Sequence, residues 1–133
     1  MNPAILLDTY PLVKFFKGES GAERVRALLL ESRRTHGRLL MTEINAGELY
    51  YIVARRMGSE RAEEILASLS TVPVTLLPTT WELTLAAARL KDERSLSYAD
   101  CFALAAAISE GAVLVTGDPE FKQAERLVKI EWV

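Results

Sequence analysis

Four acidic residues have the types and surroundings to assemble one divalent-cation site: Asp8, Glu48, Asp100 and Asp118. Two of them end apolar runs. Ala4-Ile5-Leu6-Leu7 stops at Asp8, and Ala112-Val113-Leu114-Val115 passes through Thr116-Gly117 into Asp118. This is the pattern of buried parallel strands that deliver carboxylates to the carboxyl edge of a sheet, where open α/β folds bind their ligands. The other two acids fall in helical patterns. Glu48 shares a stripe with Ile44 and Ile52 at spacings of four, with Leu49 and Val53 flanking it, and so faces the core. Asp100 opens Cys101-Phe102-Ala103-Leu104-Ala105-Ala106-Ala107-Ile108, a stretch that is apolar all round and hence a buried helix. A buried carboxylate is costly unless it is paired, protonated or bound to a cation. Carboxylates about 5 Å apart repel by roughly 3 kcal/mol per pair at an effective dielectric near 20, so a converging quartet calls for positive charge. Hard oxygen ligands select Mg2+ or Mn2+ over zinc or copper. A metal-activated water can attack a phosphodiester without a protein general base, which accounts for acids gathered without histidine.

Each acid also has a plainer role. Asp8 can cap the helix that begins near Pro11, and Asp118-Pro119 is a turn-initiating pair. Glu48 can pair with an arginine such as Arg55 or Arg89. Ser97-x-x-Asp100 has the form of a capping box.

The elements that position these residues alternate along the chain. A strand over Ala4–Leu7 is followed by a short helix with Pro11 in its first turn and Gly18 at its end. Ser20-Gly21-Ala22-Glu23 reads as a capping box opening a helix with Val25, Leu28 and Leu29 inward. Strand Leu39–Met41 leads to Thr42 as the cap of a helix reaching Met57 before Gly58. Ser59 caps a further helix burying Ile65, Leu66 and Leu69; Pro73 then breaks into strand Val74–Leu77. Pro78-Thr79-Thr80 starts a helix with Trp81, Leu85 and Ala88 on its inner face. Ser97 opens the apolar helix, Gly111 closes it, and strands end at Val115 and Trp132. Trp81 and Trp132 read as core or edge packing. Alternation of this kind implies right-handed crossovers and a mostly parallel sheet covered on both faces, an α/β fold.

At 133 residues and 50% hydrophobic, the chain is read as one domain, residues 1–133. It contains no apolar run long enough for a membrane span, and Met1-Asn2-Pro3 lacks the regions of a signal peptide, so a cytoplasmic location is expected. One cysteine, Cys101, and one histidine, His36, cannot form a disulfide or the usual tetrahedral zinc site. Cys101 reads as core filler and His36 as a surface residue. The net charge of −2 argues mildly against a nucleic-acid partner. Setting the four acids aside, however, turns 16 basic and 18 acidic residues into a small positive remainder. Basic clusters stand at Arg33-Arg34 with Arg38, at Arg55-Arg56, and at Lys14 with Lys17.

Four stretches together resemble the PIN-domain ribonucleases, in the small form of VapC-type toxins of toxin–antitoxin pairs. They are Leu6-Leu7-Asp8-Thr9, Thr42-Glu43-Ile44-Asn45-Ala46-Gly47-Glu48-Leu49, Leu96-Ser97-Tyr98-Ala99-Asp100-Cys101 and Leu114-Val115-Thr116-Gly117-Asp118-Pro119-Glu120-Phe121. The resemblance implies a three-layer α/β/α sandwich around a mostly parallel sheet of about five strands. It implies Asp8, Glu48, Asp100 and Asp118 as ligands of Mg2+ or Mn2+, with Thr116, and less directly Thr9, orienting the cluster or its water. It also implies endonucleolytic cleavage of RNA to a 5′-phosphate and a 3′-hydroxyl, a homodimer, and a cognate antitoxin that inserts into the active-site groove. Tyr10 departs from the family pattern, in which a small residue usually follows the first Asp-Thr. Glu43 and Glu120 are further acids near the implied cluster, without an assigned role.

Three other readings compete. A receiver-like magnesium-binding signalling domain would need an adjacent acid pair after the first strand and a lysine after a late one. A haloacid-dehalogenase-type phosphatase would need a second aspartate two positions after Asp8. A catalytically inactive PIN-like module would keep the fold and dock only a partner peptide.

Overall fold

The structure is a computed structural model describing residues 4–133. Met1, Asn2 and Pro3, the start of the segment read above as lacking a signal peptide, lie outside the described residues. Five parallel strands form one sheet: β1 (Ile5–Leu7), β2 (Leu39–Thr42), β3 (Thr75–Leu77), β4 (Val113–Thr116) and β5 (Ile130–Trp132), in the order β3-β2-β1-β4-β5. Six helices connect them: α1 (Thr9–Lys17), α2 (Ala22–Thr35), α3 (Glu43–Met57), α4 (Ser59–Ser68), α5 (Trp81–Glu93) and α6 (Tyr98–Glu110). A 3-10 helix covers Pro119–Ala124. The expected α/β/α sandwich is present, and its sheet is parallel throughout.

Side-chain alternation along the strands divides the interior in two. Leu6, Leu40 and Leu114 lie in register and point to the layer of α5 and α6, where they meet Phe102, Leu104 and Phe121. Leu7, Leu39, Met41 and Val115 point the other way, to Leu12, Val25, Leu49 and Ile65 from α1 to α4. A strand covered on both faces has no polar side to show, which is why these runs are continuously apolar. The chain winds outward from β1 through β2 to β3, then crosses back to place β4 on the other side of β1. Connections therefore diverge in opposite directions above β1 and β4. Open α/β sheets bind ligands at such a switch point, and here Asp8 directly follows β1 while Thr116 ends β4.

Several local expectations fail for identifiable reasons. The Ser20–Glu23 capping box does not form, because α2 begins at Ala22 with Gly21 as its cap at φ 96°. Gly21 supplies a left-handed turn that leaves Ser20 outside the helix, and a Cβ there would stand 3.3 Å from the Val133 main chain. Ser59 is the first residue of α4 rather than its cap; Gly58, at φ 92°, takes that place. Helix α5 turns Leu83, Ala86, Ala87 and Leu90 to the core instead of Trp81, Leu85 and Ala88, so Trp81 is 72% exposed. Trp132 lies on edge strand β5 and is partly exposed. Cys101 is buried and His36 exposed, as expected; His36 also ends α2 in a left-handed conformation at φ 55°. No helix among the described residues is long and apolar enough to cross a membrane.

Candidate metal centre

Asp8 follows β1 directly and is 1% exposed. It occupies the cap position of α1, yet its side chain makes no capping hydrogen bond. The Thr116 hydroxyl, at the end of β4, instead donates to Asp8 Oδ2 at 2.8 Å. Asp8 Oδ1 is buried without any hydrogen-bond partner. The same Thr116 oxygen accepts the Asp118 backbone N–H at 3.1 Å, so one hydroxyl ties together the two acid-bearing strand ends. Asp118 also fulfils its plainer role: it caps the 3-10 helix, with Oδ1 accepting from the Glu120 N–H at 2.9 Å.

Asp100 sits in the first turn of α6, 8% exposed, with its N–H donating to Ser97 Oγ at 3.1 Å. Carboxylate oxygens of Asp100, Asp118 and Glu120 lie within 4.8 Å of one another. Glu120, an exposed residue, thus joins Asp100 and Asp118, whereas Asp8 and Glu48 lie outside this 4.8 Å group. Glu43, the other unassigned acid, is occupied elsewhere: its Oε1 accepts from the Thr79 N–H at 2.9 Å.

Glu48 is half-buried at the pocket wall, not in the core stripe expected for it. Helix α3 is rotated so that Asn45, Leu49 and Ile52 face inward, which brings Glu48 to the rim. Its partners are hydroxyls, not Arg55 or Arg89: Oε1 accepts from Thr9 and Oε2 from Tyr51 at 3.4 Å. Asn45, quoted above only as part of a motif, is fully buried and central to this wall. Its Nδ2 donates to Thr9 Oγ1 at 3.2 Å and to the Ala99 carbonyl at 3.3 Å, while Oδ1 accepts from Thr42. These bonds join α1, α3 and the residue preceding Asp100. The available signal was an amide at spacings of four and seven from Leu49 and Ile52, on the inward face.

The electrostatics match the geometry. Burial pushes the Asp8 carboxyl up to about 6, with Glu48 and Asp118 adding to the rise and the Thr116 hydrogen bond opposing it. Burial pushes Asp100 up to about 7, assisted first by the charge of Asp8 and then by that of Asp118. Asp8 and Asp100 are therefore both raised by desolvation and by charged neighbours, the condition that a bound cation reverses. An unpartnered buried oxygen on Asp8, whose carboxyl feels the charges of Asp100 and Asp118, fits a hard divalent ion.

A family model for the PIN domain matches residues 5–127. The chain belongs to the PIN-domain family. Membership removes the receiver-like and phosphatase readings, which require different folds. Among solved structures, this PIN chain is similar to VapBC from Salmonella typhimurium bound to DNA, at 19% identity and TM-score 0.75, with 98% of each chain covered. It is similar to VapBC2 from Rickettsia felis bound to a promoter DNA fragment, at 20% identity and TM-score 0.73, again over 98% of each chain. It also resembles VapC20 of Mycobacterium tuberculosis, a sarcin-ricin loop cleaving toxin, at 21% identity and TM-score 0.70, over 91% of this chain and 95% of that one. No curated protein sequence gives a significant match.

Proposed function

We propose that this PIN-domain protein is a metal-dependent endoribonuclease acting as the toxin of a toxin–antitoxin pair. Asp8, Glu48, Asp100 and Asp118 hold Mg2+ or Mn2+, and Glu120 contributes to the same pocket. The observation that carries the reading is the buried, unpartnered Asp8 Oδ1 on a PIN fold, with the Asp8 carboxyl near enough to Asp100 and Asp118 for their charges to be felt. A divalent cation there supplies Lewis acidity, lowering the pKa of water and offsetting charge on a phosphodiester.

The chain's own residues prepare that site. Thr116 fixes Asp8 and the Asp118 turn at once. Thr9, held by Asn45, fixes Glu48. Preorganised carboxylates do not have to move when the ion enters, which favours binding and the charge distribution of an in-line displacement. Because Asp8 and Asp100 are raised to about 6 and about 7, they carry protons in mildly acidic solution, and metal affinity rises as pH passes through that range. Cleavage would leave a 5′-phosphate and a 3′-hydroxyl. The VapBC neighbours support an antitoxin partner for this chain, and a homodimer is the further expectation.

The test is incubation of the purified protein with total RNA, with and without Mn2+, mapping the new 5′ ends. Metal-dependent ends are expected, lost in Asp8→Asn and Asp118→Asn. Retained cleavage in both variants overturns the site assignment. No cleavage by the wild type, with antitoxin binding kept, returns the protein to the inactive-module reading. Expression alone should slow growth and co-expression of the neighbouring antitoxin should restore it.

A further inference from the structure

Two exposed tyrosines border the acids without contributing to either half of the core. Tyr10, 38% exposed, follows Thr9 in the first turn of α1, and Tyr51, 45% exposed, lies three residues beyond Glu48 on α3. Each carries a guanidinium over its ring, Arg55 at 5.0 Å from the Tyr51 centroid and Arg56 at 6.0 Å from that of Tyr10. The Tyr51 hydroxyl donates to Glu48 Oε2, which joins this patch to the pocket wall.

Arg34 pairs with Glu31, Arg38 with Glu110 and Lys17 with Glu19. Lys14 donates to the Val133 carbonyl and Arg33 to that of Thr71. Among the described residues, Arg55 and Arg56 have no carboxylate partner, although both are exposed. What sets Arg55 and Arg56 apart is their place over rings beside the acids, since Arg26, Arg89, Lys122, Arg126 and Lys129 likewise lack a carboxylate partner among the described residues. Two free cations and two aromatic rings therefore adjoin the one place where anionic substrate chemistry is proposed.

We infer that Tyr10, Tyr51, Arg55 and Arg56 form a subsite for an unpaired nucleobase and its flanking phosphate, next to the phosphodiester presented to the acids. This rests on the nuclease reading and adds to it the side chains that would hold a base beside the scissile phosphodiester. Aromatic rings stack bases whatever their sequence, and a guanidinium both stacks and binds phosphate. A paired duplex keeps its base faces covered and cannot use the rings. A partner helix would call for a continuous apolar face, whereas this patch alternates rings with charges.

The test is binding of a labelled oligouridine, and of a duplex RNA of equal length, in the presence of Mn2+ to protein carrying Asp118→Asn. Tyr10→Ala and Tyr51→Ala should each weaken oligouridine binding about 10-fold, the effect of losing one stacked base, with little effect on the duplex. Tyr10→Phe and Tyr51→Phe should bind like the parent, since stacking needs the ring and not the hydroxyl. Unchanged binding by the alanine variants, or an equal loss for single strand and duplex, overturns the subsite, as does loss of antitoxin binding alone. Where alanine lowers the melting temperature, Tyr10→Leu and Tyr51→Leu preserve bulk without an aromatic face and carry the same expectations. Metal-dependent cleavage by the wild type is scored separately: its absence defeats the nuclease reading, and its presence with indifferent tyrosines defeats only the subsite.

Discussion

Replacing Asp8 by asparagine should stabilise the metal-free protein while removing its metal response. In the fold the Asp8 carboxyl is raised from 3.8 to about 6, so the ionised side chain is worse off there than in the unfolded chain. At 1.36 kcal/mol per pKa unit this corresponds to about 3 kcal/mol. The penalty is absent below about pH 4, grows as pH rises through the interval between the two values, and is complete above about 6. Asparagine keeps an acceptor for Thr116 but places an amide where Oδ1 has no partner, at a cost of about 1 kcal/mol. The net gain at pH 7.5 in EDTA is about 2 kcal/mol, or roughly 5–8 °C in melting temperature for a chain of this size. At pH 4, where the penalty is gone and the cost of the amide remains, the variant should instead be less stable than the wild type by about 1 kcal/mol. Mn2+ at a hundred times its dissociation constant stabilises the wild type by about 2.7 kcal/mol, and the variant should gain much less. Thermal melts at pH 4 and 7.5, with EDTA or Mn2+, read all four quantities. A variant that melts at or below the wild type at pH 7.5 in EDTA, or that gains as much from Mn2+, refutes the reasoning.

Glu120→Gln should weaken Mn2+ binding several-fold while Glu43→Gln leaves it unchanged, measured by calorimetric titration, because only Glu120 lies with Asp100 and Asp118. Thr116→Val removes the donor to Asp8 and the acceptor of the Asp118 N–H; it should cost about 1–3 kcal/mol and move the activity–pH profile to higher pH, since the bond now lost holds the Asp8 carboxyl down. Gly117→Ala would place a Cβ 2.7 Å from Lys14 Nζ and 3.2 Å from the Val133 carbonyl. The lysine can swing away, so chemical denaturation should show a loss of about 1 kcal/mol, the value of its hydrogen bond to Val133.

The strand-end acids were legible because β1 and β4 are covered on both faces, and a short, continuously apolar run that stops at an aspartate suits the carboxyl end of such a strand. Asp100 was legible for a related reason, at the head of a helix with no polar face. Glu48 was placed on α3 but too deep: the inward face is centred on Asn45, Leu49 and Ile52, with a buried amide in a position that hydropathy reserves for an apolar residue, which leaves Glu48 half-buried at its margin. Glu120 is exposed, as a solvent-facing acid would be, and its nearness to Asp100 and Asp118 depends on the 3-10 turn after Asp118, which its spacing in the sequence does not reveal. Trp81 was grouped with Leu85 and Ala88 by their spacing as one apolar face, while α5 in fact packs through Leu83, Ala86, Ala87 and Leu90. The capping box at Ser20 failed because a close approach by Val133, distant in sequence, decides the conformation of Gly21.

Leu6 and Leu7 are neighbours in the chain yet belong to different halves of the interior, and Asp8 comes next. A void opened in either layer is passed to the same carboxylate through one or two peptide units. A genetic screen for inactive alleles should then recover conservative apolar replacements from both layers alongside the acids themselves, with temperature-sensitive alleles concentrated among the former.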